Sequence, residues 1–129
     1  MYEINTTLTG SFDSVKEKVL SILTEEQLGV VSEVNVQATM KKKLDIDIPA
    51  YQILGACNPK LALKIIEADP NAGNLLPCNF IIREAEQGKI VVGFMDPITV
   101  LGLAESDVIN EVAQVAREKI DRVLKKLSS

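Results

Sequence analysis

Hydrophobic and polar positions alternate weakly from Tyr2 to Leu8, which predicts an opening strand. Gly10 interrupts the alternation, and Ser11 is a good cap for a helix. In that helix Phe12, Val15, Val19 and Ile22 recur at helical spacing, with Lys16, Glu17 and Lys18 off their face. Gly29 is the expected stop. Val30 to Val36 is rich in β-branched residues and predicts a second strand. Ala38 to Leu44 fits a short helix, and Pro49 closes the segment after it. Tyr51 to Cys57 reads as a central strand, with Tyr51, Ile53, Gly55 and Cys57 on one face and Leu54 and Ala56 on the other.

Asn58 and Pro59 start another helix, because Asn caps well and Pro suits the first helical position. Leu61, Ala62, Ile65 and Ile66 supply its buried side, and residues 69–74 form a loop. Cys78 to Glu84 and Lys89 to Met95 predict a hairpin around Glu86-Gln87-Gly88. Asp96 to Ala104 is an apolar connection. The last helix starts near Ser106 and runs to about Lys126, with Ile109, Val112, Ala116, Ile120, Val123 and Leu127 as a continuous stripe.

The order is strand, helix, four strands and a final long helix, with short helices inserted. A hairpin implies antiparallel pairing, so the expected fold is a single α+β domain over residues 1–129 with an antiparallel sheet and the two long helices on one face. The central strands are apolar on both faces, so the second face also needs cover. A homodimer would provide it.

At 129 residues, 47% hydrophobic and 25% charged, the chain can bury a full core. A net charge of −4 argues against nucleic acid as the main partner. Lys41-Lys42-Lys43 is the single basic block and reads as a solvated helix face. The N-terminus lacks a basic segment followed by an apolar one, and no apolar run is long enough to span a bilayer. A cytoplasmic protein with reduced thiols and no membrane partner is expected.

The chain has no histidine, which removes the serine and cysteine triads and every histidine-containing zinc site. Candidate chemistry therefore falls on two Cys-Asn dipeptides, Cys57-Asn58 and Cys78-Asn79, which hold both cysteines. If the strands holding these cysteines pair, Cys57, Cys78, Met95 and Asp96 gather at one edge of the sheet. Cys57 is most simply a small buried apolar group closing a strand; against this, it precedes a helix N-terminus, whose partial positive charge favours a thiolate. Asn58 is explained as a cap and Asp96, before Pro97, as a turn former. Asn79 fits a strand poorly and has no helix to cap, so it either orders a loop or contacts a ligand.

The stretch from Tyr51 to Pro59, then Ala68-Asp69-Pro70, Leu75-Leu76-Pro77-Cys78-Asn79 and Met95-Asp96-Pro97, resembles the domain of unknown function 302 family. The resemblance spans nearly the whole chain. It implies a fold of the TATA-binding-protein-like class and carries no activity with it.

Three functions remain open. The first is a homodimeric, non-catalytic binder of a small molecule or soft metal ion, with Cys57, Asn58, Cys78, Asn79, Met95 and Asp96 as the site and the two thiols as metal ligands. The second is thiol redox chemistry by Cys57 and Cys78. The third is a structural or interaction domain with core cysteines. The identity of any cofactor is left open, and no nucleophile geometry supports a conventional hydrolase.

Overall fold

The structure, a computed structural model, describes residues 1–128. Strands β1 (Glu3–Thr9), β2 (Gly29–Asn35), β3 (Tyr51–Cys57), β4 (Cys78–Glu84) and β5 (Lys89–Met95) form one sheet in the order β1-β5-β4-β3-β2. Every neighbouring pair is antiparallel. Helices α1 (Phe12–Glu25), α2 (Val36–Leu44), α3 (Pro59–Ala68), α4 (Pro97–Leu101) and α5 (Asp107–Leu127) connect or follow the strands.

The alternation of each strand decides which residues reach the core. Leu54, Ala56, Phe80, Ile82, Ile90, Val92 and Phe94 turn to one face and pack against Val15, Val19, Ile22 and Leu23 of α1 and Ile120, Val123 and Leu127 of α5. Phe80 and Phe94, paired across β4 and β5, stack with ring centroids 5.1 Å apart. A second, smaller core forms where Ile65 of α3, Leu101 of α4 and Ile109 and Val112 of α5 meet beyond the end of the sheet. The two long helices thus lie on one face, as the α+β reading requires.

Three local expectations change. Helix α1 stops before Gly29: Glu26 caps it and Gln27, not a glycine, takes the left-handed conformation at φ 61°. Gly29 instead opens β2. Helix α2 begins two residues earlier than its apolar pattern indicates, because the Asn35 side chain accepts from the Ala38 amide and sets the start. The apolar connection from Asp96 is in part a helix, α4, with Asp96 as cap and Pro97 in its first turn. Lys41 of the basic run lies 3.0 Å from Asp45 and 3.5 Å from Asp47, so part of its charge is compensated locally.

Candidate functional site

The ends of β3, β4 and β5 do meet at one end of the sheet, but the residues proposed there divide into three separate places. Register is the cause. Ala56 pairs with Cys78, so Cys78 follows Phe80 and Ile82 toward the helices. Asn79 pairs with Gly55 on the uncovered face, where Met95, opposite Glu3, also lies.

The first place is a narrow apolar gap of about 30 Å³ between the sheet end, α3 and α5, bordered by Cys57, Asn58 and Cys78 together with Leu61, Ile65 and Leu76. It has room for roughly one water molecule and none for an organic ligand. Neither cysteine is in a disulfide. Burial pushes the Cys57 thiol up, and pushes Cys78 up to about 11, with the nearby Cys57 adding to the shift. Burial thus opposes the effect expected of the α3 dipole on the Cys57 thiol. The donors at that helix end are already engaged: Asn58 Oδ1 accepts from the amides of Lys60 at 3.0 Å and Leu61 at 3.1 Å. Asn58 Nδ2 in turn donates to the Gln27 carbonyl at 3.1 Å. Asn58 joins the start of α3 to the turn after α1, and its hydrogen bonds are structural. No group of three or more Cys, Asp or Glu side chains among the described residues is arranged to hold a metal ion.

The second place is the start of α4. Asp96 Oδ1 accepts from the Ile98 amide at 2.9 Å, and Oδ2 accepts from Arg117 Nη1 at 2.9 Å. Both carboxylate oxygens are occupied, so Asp96 caps α4 and ties it to α5.

The third place is the uncovered face of the sheet. An open depression of about 380 Å³ is lined there by Tyr2, Glu3, Asn5, Tyr51, Asn79, Ile81, Arg83, Gly93 and Met95. Gly93 forms part of its floor. A Cβ at that position would meet the Asn5 side-chain oxygen and Ile81, so the missing side chain is what lets Asn5 lie across the strand. Asn5 and Asn79 are exposed, and among the described residues no hydrogen bond holds either carboxamide. Both tyrosines of the chain line this depression. Arg83 stands between Tyr51 on β3 and Val91 on β5.

Of the six residues singled out from sequence, Asn79 and Met95 thus line the depression, while Cys57, Asn58, Cys78 and Asp96 do not. Asn5, Arg83 and Gly93 were missed. Signals for them existed: a glycine inside the apolar run Ile90 to Met95 marks a close backbone approach, and Arg83 shares the alternating face of Asn79 and Ile81.

A family model described as Domain of unknown function DUF302 matches residues 4–127. The crystal structure of an uncharacterized conserved protein DUF302 from Bacillus stearothermophilus superposes with a TM-score of 0.89 at 20% sequence identity, over 98% of each chain. At that identity the likeness establishes the fold alone. No curated protein matches the chain.

Proposed function

The chain belongs to the DUF302 family, and on that premise, which brings a fold and no activity, we propose that it is a non-catalytic, homodimeric small-ligand-binding domain. Its binding site is the depression on the uncovered sheet face, not the cysteine gap. The observation that carries this reading is the gathering of Tyr2, Tyr51, Asn5, Asn79 and Arg83 around an apolar floor of Ile81, Gly93 and Met95. Apolar walls with a few unspent polar groups are the usual design of a small-ligand site.

The dimer reading rests on the same face. Helices α1 and α5 cover the other side, and Val34 remains 49% exposed beside the half-buried Ile53 with which it pairs. Five strands of about seven residues present a surface of roughly 24 by 23 Å. That flat area, roughly 550 Å², lies just under the low end, about 600 Å² per partner, of standard-size interfaces. A second copy laid there would turn the depression into an enclosed pocket.

Native mass spectrometry of freshly purified protein tests both parts. The expected species is a dimer carrying extra mass that Asn79→Leu removes and that Cys57→Ala and Cys78→Ala retain. Extra mass lost only on cysteine substitution would move the site to the thiols. A bare monomer unaffected by any of the three would sink the reading.

A further inference from the structure

The sequence contains three arginines. Arg117 is paired with Asp96 at 2.9 Å and Asp121 at 3.0 Å, and Arg122 with Glu26 at 2.8 Å. Arg83 alone of the three makes no ion pair among the described residues, and it is the one that lines the depression. Other charges face the same surface. Glu3 lies across β5 and four residues along from the position of Arg83, a separation of roughly 16 Å from strand geometry. That exceeds the screening length of about 8–10 Å in physiological salt, so Glu3 does little to neutralise Arg83. On the other side, Lys89 and Glu86 border a second hollow that Arg83 also reaches, one charge of each sign.

We infer that the ligand of this site is a small organic anion whose carboxylate or phosphate sits on the Arg83 guanidinium and whose apolar body lies over Ile81 and Met95. This rests on the ligand-binding reading above and adds the class of ligand. The chemistry fits the surroundings. A guanidinium offers parallel N–H donors that match the two oxygens of a carboxylate or phosphate. Tyr51, directly across from Arg83, adds a hydroxyl. The Asn79 and Asn5 carboxamides flank the floor and can donate to polar substituents on the ligand body. Gly93 leaves room for the Asn5 carboxamide to lie across the floor, within reach of a polar substituent on the ligand.

The test is titration of the full-length protein, followed by amide resonances of Asn79, Ile81 and Gly93. The probes are benzoate, 4-hydroxyphenylacetate and hexanoate, the neutral amide of each, and inorganic phosphate. Each acid is expected to bind at least about tenfold more tightly than its amide. Arg83→Gln should erase that preference while leaving the weak amide binding in place, and Arg83→Lys should restore part of it. Shifts with phosphate as well as carboxylates would assign the site to anions in general, and shifts with carboxylates alone would narrow it to acids.

Equal binding of acid and amide, unchanged in Arg83→Gln, would overturn the anion inference and leave the ligand site standing. A different result would tell against both: no shift from any probe at millimolar concentration, with Arg83→Gln converting a dimer to monomer. Arg83 would then belong to a contact with the partner's acidic groups.

Discussion

Arg122 Nε on α5 donates to Glu26 Oε1 at the end of α1 across 2.8 Å, and Glu26 is the buried charged side chain of the described residues. Lys126 adds a contact to Oε2 at 3.3 Å, and Lys119 donates to the Glu26 carbonyl at 2.9 Å. The Arg122 hydrogen bond holds the Glu26 carboxyl below its ordinary value of 4.5, against the opposing effect of burial. A carboxyl whose pKa is lower folded than unfolded stabilises the fold above the unfolded value. That contribution is lost as pH falls through the folded value. Stability measured by denaturant titration is therefore expected to decline as pH drops below about 4.5. In Glu26→Gln this part of the decline should be absent, and near neutral pH the variant should be less stable by about 1–2 kcal/mol. An unchanged acid limb in Glu26→Gln would show that other carboxyls govern it.

Asp96 combines two tasks that substitution can separate. Asp96→Ala removes the cap of α4 and the bond to Arg117, with an expected cost of about 1–2 kcal/mol. Asp96→Ser keeps a capping oxygen and loses the ion pair, which is partly exposed on the Arg117 side, so it should cost less than about 1 kcal/mol. Thermal melts of the two variants check the order. Equal losses would mean that the ion pair, rather than the cap, secures α4.

The thiols should be slow. Raising Cys78 from 9.0 to about 11 lowers its thiolate fraction at neutral pH about a hundredfold. Alkylation by iodoacetamide, resolved by peptide mass, should be at least that much slower at Cys78 than at a free cysteine, and denaturation should abolish the difference. Fast labelling of folded Cys78 would revive thiol chemistry.

Two glycines on the uncovered face differ in what they tolerate. A Cβ at Gly55 would meet the Pro77 ring and the Ser32 hydroxyl, and a proline ring cannot swing aside. Gly55→Ala is expected to cost roughly 1–3 kcal/mol. A Cβ at Gly93 meets chiefly the Asn5 carboxamide, an exposed and unbonded group that can rotate away. Gly93→Ala should cost less than about 1 kcal/mol yet weaken ligand binding, since it pushes the Asn5 carboxamide out of its place in the depression. Chemical denaturation and ligand titration on the same two variants separate these effects.

Much of the architecture was legible because its signals are local. Ser11, Asn58 and Ser106 each place a side-chain oxygen two or three residues ahead of amides left open by a helix start, and all three cap as their positions suggest. Asp96-Pro97 carries the same signature as Asn58-Pro59. From sequence it reads as a turn, because the five-residue helix behind it is too short for a helical period to show. Nothing in the side chain of Gln27 demands a positive φ; it accompanies the turn in which the Leu28 amide donates back to the Leu23 carbonyl at 2.9 Å and closes α1.

By itself the sequence determined which residues share a face, since a strand turns successive side chains to opposite sides: Cys78 goes with Phe80 and Ile82, and Asn79 with Ile81 and Arg83. Only the tertiary structure decided what each face meets. Register between β3, β4 and β5 set Arg83 beside Tyr51, and the packing of α1 and α5 on one side left Asn79 and Met95 on the other. Register follows from the summed packing of the whole sheet, and a shift of one residue reverses every side chain of a strand. The short motifs around the two cysteines hold no trace of that sum, so the residues they gather in sequence were divided in space.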